Sequence, residues 1–208
     1  MVKLAGPCMS MSASGKLANA IVFSRWKGRA YARQLVTPAN PKSGLQVSTR
    51  AMLKFLSQRW AGNGAIPQAS WDDLADLSNI SPFNAYVGRN ASRWREFQAP
   101  SQTYPAAETG TPVVGTLDTA TGGPSYMDLA FTITTLEDVW GAMIFRSPTT
   151  TFASSRANCI AIIEIDSTGA LVYTDSNLAA GEYWYDCRFF SKEGLLDDEE
   201  GEVTGTVT

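Results

Sequence analysis

The spacing of apolar and polar positions changes twice along this chain. Between Leu17 and Val36 the pattern is strand-like. Ala20-Ile21-Val22-Phe23 is rich in strand formers, and Ala30-Tyr31-Ala32-Arg33-Gln34-Leu35-Val36 returns with partial alternation, so the stretch predicts two strands joined through Trp26-Lys27-Gly28-Arg29. From residue 44 to 98 the period becomes three to four. Leu45, Met52, Phe55, Leu56 and Trp60 form one stripe opposite Arg50, Lys54 and Gln58, and Gly62-Asn63-Gly64 ends that helix. Ser70 is placed to cap a second helix with Trp71, Leu74 and Leu77 on its face. Ser81-Pro82 opens a third carrying Phe83, Tyr86, Val87, Asn90, Trp94 and Phe97. Beyond residue 112 the pattern returns to short runs of strand formers, near 112–117, 126–134, 139–146, 158–165, 169–174, 182–191 and 202–207. Seven such runs separated by turn residues predict a two-sheet antiparallel sandwich. Within Tyr183-Trp184-Tyr185-Asp186-Cys187-Arg188-Phe189 the alternation predicts one face turned inward and one toward solvent.

These elements divide the chain into a flexible arm and β-hairpin (1–43), a small helical region (44–98), a Pro- and Ser-containing linker (99–111) and a β-sandwich (112–208). The expected fold class is therefore an α+β N-terminal region followed by an all-β sandwich. A hairpin as short as this one is marginal in water and has to lean on a helix or another molecule.

Composition sharpens the functional side. The chain has 208 residues and no histidine, which removes Ser–His–Asp and Cys–His catalytic machinery and His-ligated zinc. Its three cysteines form no C-x-x-C pair and read as small buried hydrophobes. The carboxylate clusters Asp72-Asp73, Glu137-Asp138 and Asp197-Asp198-Glu199-Glu200 are sequence-adjacent, and the last reads as a solvated turn. No cofactor, metal site, membrane span or enzymatic activity is expected. Residues 1–100 carry thirteen Lys and Arg against four Asp and Glu, whereas residues 101–208 carry four against sixteen. No acidic residue precedes Asp72, and ten basic residues do. A field this uniform favours an acidic partner: a protein surface, the acidic half of another copy, or nucleic acid.

Two resemblances follow from specific residues. Trp140-Gly141-Ala142-Met143-Ile144-Phe145-Arg146-Ser147 resembles the third strand of fibronectin type III domains. Tyr173-Thr174-Asp175 followed by Leu178 to Tyr185 resembles that family's tyrosine corner. This likeness implies an immunoglobulin/fibronectin III-like architecture and no activity. In the N-terminal part, Gly15, Asn19, Lys27-Gly28-Arg29, Tyr31, Arg33, Pro38-Ala39-Asn40-Pro41-Lys42-Ser43, Gln46, Arg50, Trp60 and Trp71 follow one another in the order and spacing of an uncharacterised hairpin-plus-helix family met in bacteriophage structural genes. What this resemblance implies is a non-enzymatic virion component assembled in the bacterial cytoplasm.

The leading expectation is a capsid decoration (cement) protein docking on the major capsid protein, or on other virion proteins, through its basic N-terminal region. Arg25, Trp26, Lys27, Arg29, Tyr31 and Arg33 form the expected contact set, since Arg and aromatic side chains anchor interface centres. A head–tail or tail adaptor is the alternative within the virion class. A host-surface or glycan-binding module using Thr149-Thr150-Thr151-Phe152 and Trp184, and a nucleic-acid-binding protein, are further alternatives. The acidic second half disfavours nucleic acid, and the charge asymmetry leaves self-association open.

Overall fold

The computed structural model describes residues 2–3, 14–17, 20–37, 39–110, 115–136 and 139–208. The chain forms two compact units, Met1–Pro41 and Lys42–Thr208.

The first unit is an antiparallel sheet. Strands β1 (Val2–Lys3), β2 (Gly15–Leu17), β3 (Ile21–Trp26) and β4 (Arg29–Gln34) lie in the order β1-β4-β3-β2. The expected hairpin is its centre. Trp26 pairs with Arg29, which leaves Lys27-Gly28 as a two-residue loop. Both loop residues have positive φ, +48° and +76°, the type I′ geometry whose twist matches the strands it joins. The structure adds two short strands that composition placed in the flexible arm: Gly15–Leu17 pairs with β3, and the backbone of Val2–Lys3 pairs with β4. The remainder of that arm, residues 4–13, lies outside the described residues.

The second unit has three layers. Four helices, α1 (Gly44–Trp60), α2 (Ala65–Ala69), α3 (Asp72–Ser78) and α4 (Pro82–Arg95), cover a four-stranded sheet. That sheet is β11 (Val203–Val207), β10 (Gly181–Ser191), β7 (Val139–Ser147) and β8 (Cys159–Glu164), in this order. Behind it stands a three-stranded sheet of β5 (Gly115–Gly123), β6 (Tyr126–Ile133) and β9 (Gly169–Ser176). All seven strands occur where strand formers cluster. The start of the first run, 112–114, lies outside the described residues. At Gly122 a Cβ would collide with the Thr206 carbonyl, so the close approach of β5 to β11 requires glycine.

Two cores result. Leu117, Met127, Leu129, Phe131 and Ile133 pack against Ala142, Ile144, Tyr185, Cys187 and Phe189 between the sheets. Trp140, Met143, Phe145, Cys159 and Phe190 face the other way, against Met52, Phe55, Leu56, Trp71, Tyr86 and Trp94 of the helical layer. Phe55 sits edge-on to Trp140 at 4.9 Å and to Phe190 at 5.5 Å. The centre of the four-stranded sheet is therefore buried on both faces, whereas Glu182, Thr204 and Thr206 on its β11 side are exposed. The expectation of a solvated face on β10 is corrected: Asp186 and Phe190 are both buried.

The helical readings hold in part. Ser81 caps α4 by accepting a hydrogen bond from the Asn84 amide, with Pro82 in the first turn. Ser70 does not cap α3. Its hydroxyl donates to the Pro67 carbonyl and accepts from the Tyr104 amide, and Trp71 occupies the cap position. Leu45 and Leu77, expected on buried stripes, are exposed.

The largest correction concerns 99–111. Ala99, Pro100 and Ser101 are buried, and this stretch is stitched to both layers it joins. Asn90 donates to the Ser101 carbonyl and accepts from its amide. The Trp71 indole donates to the Gln102 carbonyl, while the Gln102 amide donates to the Lys192 carbonyl. Arg93, only 9% exposed, donates to the carbonyls of Ala99 (2.7 Å) and Gly194 (2.9 Å) and pairs with Glu108 (2.8 Å). Helices and sandwich are one body, not two modules on a tether.

Truncating Arg93 leaves two buried carbonyls without donors, at about 1–3 kcal/mol each. Arg93→Met is expected to lower unfolding free energy by about 3 kcal/mol in urea titration. Arg89→Met, at an exposed position of the same helix, should stay within about 0.5 kcal/mol of the parent.

Candidate docking surface

The N-terminal sheet brings most of the predicted contact residues together and separates one. Strand alternation and the register Trp26↔Arg29, Ser24↔Tyr31, Val22↔Arg33 and Lys16↔Val22 put Lys16, Trp26, Arg29, Tyr31 and Arg33 on one face. Arg25 pairs with Ala30 and lies on the opposite face, with Leu17, Ile21, Phe23 and Ala32. Lys27 sits in the turn, its ammonium 4.9 Å from the Trp26 ring centroid. Trp26 is 66% exposed and Tyr31 half-buried, and Arg25, Lys27, Arg29 and Arg33 are exposed.

The sheet thus carries Lys16, Arg29, Arg33, Trp26 and Tyr31 on one side and is largely apolar on the other, where Arg25 and Gln34 are the polar exceptions. Leu17 is 58% exposed and Ile21 38%. Neither buried cluster of the protein draws a described residue from positions 1–41. Trp26 and Leu17 are large side chains left exposed on a small sheet.

Two of the remaining candidates are engaged by their surroundings, while Asp72 and Asp73 are exposed and Glu137-Asp138 lies outside the described residues. The threonine loop 149–152 is held by Glu202, which accepts from the Thr150 hydroxyl and from the amides of Thr151 and Phe152. The acidic run 197–200 is solvated only in part: Asp198 and Glu199 are exposed, while the backbone is tied down. The amides of Asp197 and Glu200 donate to the Phe189 and Cys187 carbonyls, and Glu199 accepts from the Ser154 amide. Asp186, Glu199 and Glu202 line an open depression of about 500 Å³. Burial pushes the Asp186 carboxyl above its ordinary value against the amides of Cys187 and Gly201, which it accepts from, and nearby Glu199 and Glu202 add to the rise. Hydrogen bonds hold Glu199 (Ser154) and Glu202 (the Thr151 and Phe152 amides and the Thr150 hydroxyl) below theirs. Among the described residues no three His, Cys, Asp or Glu side chains converge to hold a metal. Among the described residues no helix is long and apolar enough to cross a membrane. Cys159 and Cys187 are buried free thiols, and burial pushes Cys159 up to about 12; Cys8 lies outside the described residues.

No family model and no curated protein matches this chain. Solved structures with a local likeness include a β-1,2-glucanase from Parabacteroides distasonis (16% identity, 45% of this chain, 12% of that one, TM-score 0.37). Others are a lytic polysaccharide monooxygenase from Jonesia denitrificans (13%, 44% and 58%, TM-score 0.31) and the PmoD soluble domain from Methylocystis sp. (14%, 42% and 77%, TM-score 0.31). The matched region spans about an eighth of the glucanase and little more than half of the monooxygenase.

Two measurements follow. A sheet without its own core opens easily. Amides of 21–34 in the free chain are therefore expected to exchange with deuterium well before those of β7 and β10, and equal protection would contradict the absence of a local core. Asp186, with its folded pKa raised, contributes stability that is fully present below the ordinary carboxylate value and lost as pH rises through the folded value. Asp186→Asn is expected to gain stability relative to the parent across that rise, read as the difference in melting temperature between pH 4 and pH 7.

Proposed function

We propose that this chain is a non-enzymatic virion structural protein, a capsid decoration protein that docks through its N-terminal sheet and carries a rigid helix-backed sandwich. The observation that carries the reading is the N-terminal sheet itself. It has six basic residues and no acidic one, an exposed tryptophan, an opposite face that is apolar except at Arg25 and Gln34, and no share in either buried cluster. Such a sheet gains its stability by covering both faces with something else. The resemblance of Gly15 through Trp71 to a family of phage structural genes is what names a virion as that assembly, and the major capsid protein as the leading partner.

Arg29, Arg33 and Trp26 are the proposed anchors on an acidic shell surface, with Lys16 and Tyr31 beside them on the same face. The body has the features of a display domain. Its strand order of three plus four, β5-β6-β9 against β11-β10-β7-β8, supports the immunoglobulin/fibronectin III-like reading. So does the Tyr183 hydroxyl, which donates to the Ala179 carbonyl four residues upstream in the manner of a tyrosine corner. Tyr185, the other candidate, donates instead to the Asp175 carboxylate.

The non-enzymatic reading is supported by the lack of histidine and by the engagement of Asp186, Glu199 and Glu202 with backbone amides.

The test is sedimentation of nuclease-treated particles, with this chain quantified against the major shell protein. Near-stoichiometric co-sedimentation is the expected outcome. About a dozen copies per particle would make it an adaptor ring, and recovery only in the soluble fraction would sink the virion assignment. Arg29→Glu with Arg33→Glu is expected to release the chain from particles at moderate salt, and undiminished occupancy would remove that face from the contact.

A further inference from the structure

We infer that the outer face of the sheet β5-β6-β9 binds the N-terminal sheet of a second copy of this chain, through the face that carries Arg25, and so joins copies head to tail. The two sheets divide charge between them. Strands β1 to β4 contain no aspartate or glutamate, and β5, β6 and β9 contain no lysine or arginine. Met127, Leu129 and Phe131 of β6 enter the sandwich core, so Tyr126, Asp128, Ala130 and Thr132, which alternate with them, form the outer face. Val172 and Thr174 of β9 pair with Ala130 and Asp128 and share that face.

The two carboxylates of this face are held in position by neutral groups. At the β5 bulge Asp118 accepts from the Thr116 and Thr132 hydroxyls at 2.6 Å, and Asp128 accepts from the Thr174 hydroxyl at 2.6 Å. The two hydroxyls hold the Asp118 carboxyl below its ordinary value, so it stays charged. Apolar surface lies beside them, for Val172 is 61% exposed and Tyr126 is exposed as well. The Arg25 face of the N-terminal sheet is the counterpart, with Leu17 and Ile21 exposed, Phe23 half-buried and one cation. Sheets laid face to face interdigitate their side chains at about 10 Å separation, so each surface can cover the apolar rows of the other. Opposite charge then fixes which sheet meets which. Two N-terminal sheets would set cation against cation, and two outer faces carboxylate against carboxylate. The contact is heterologous, so each pair keeps one free surface of each kind and can propagate from copy to copy. It uses the face that shell docking leaves over and stands without the virion reading.

The experiment is sedimentation equilibrium of the full-length chain, without particles, over a wide range of concentration. The mean mass is expected to rise with concentration, and exchange protection of amides 21–34 to rise with it. Arg25→Glu, and separately Asp118→Lys with Asp128→Lys, are each expected to weaken association about tenfold or more. An equimolar mixture of the two variants is expected to recover it, since each then offers the charge that the other lacks. A monomer at every concentration, association indifferent to either reversal, a mixture no stronger than its components, or protection independent of concentration would each overturn the proposal. Loss of association on Arg29→Glu with Arg33→Glu but not on Arg25→Glu would put the contact on the other face and overturn it as well. Failure here leaves the shell-docking assignment standing, because that contact rests on Arg29 and Arg33 and is read on particles.

Discussion

Both faces of β7, at the centre of the four-stranded sheet, are removed from water, and the rest of the larger unit is arranged around that constraint. A sheet covered on one side alternates apolar and polar residues; one covered on both does not. Val139-Trp140-Gly141-Ala142-Met143-Ile144-Phe145 is apolar at every position because its side chains divide between two cores, the alternation shifting at the register irregularity opposite Phe190 and Ser191. Ala142 and Ile144 enter the sandwich, and Trp140, Met143 and Phe145 meet the helices. Gly141 is part of the same solution. A Cβ there would strike the Ile163 carbonyl and the Phe190 ring, so the tight contact beneath Phe55 depends on its absence. The helical layer in turn cannot exist alone, because its aromatic stripe is completed by Trp140 and Phe190.

Covering a sheet on both sides leaves polar backbone where the layers meet, and that is where charged side chains are spent inside this protein. The Arg93 guanidinium satisfies carbonyls from two segments that belong to no ladder and pairs with Glu108, which compensates its own burial. Between the two sheets the same logic recurs. Arg146 on β7 pairs with Asp175 on β9 at 2.6 Å, and the Tyr185 hydroxyl on β10 donates to the same carboxylate at 3.0 Å. Both faces of the sandwich are thus pinned through one acidic group.

How much of this was legible depends on whether the signal was local. The seven strands and the three longer helices announced themselves by period, and the Lys27-Gly28 turn by its chemistry. The double burial was visible in the unbroken run at 139–145, but such a run has the same look in any buried strand. Ala99-Pro100-Ser101-Gln102 has the composition of a linker, and nothing local distinguishes it from a stretch whose carbonyls are met by Arg93, Asn90 and Trp71 from elsewhere. Leu45 and Leu77 fit helical stripes yet face outward, because packing depends on which side of a helix meets the sheet. The contact set at 25–33 was found from charge and aromatic content. Its division between two faces required the register, since a shift of one residue exchanges every side chain.

The two units answer opposite physical demands. Lys42–Thr208 has two cores, internal ion pairs and a hydrogen-bonded connector. The sheet of 1–41 exposes apolar and cationic side chains, and neither core includes a described residue from it; under the proposed docking role its ordering is completed by the surface it covers. A segment that orders on contact loses conformational entropy at that moment, which weakens each contact but lets a short stretch follow a large surface. A uniform positive charge compensates by drawing the sheet toward an acidic surface before any close packing forms. Under the proposed docking role, with Trp26 beside the turn as the anchor, the order of events would be electrostatic approach, aromatic anchoring, and then tightening of the short strands. Concentrating every early basic residue ahead of Asp72 is the arrangement that such an order of events requires.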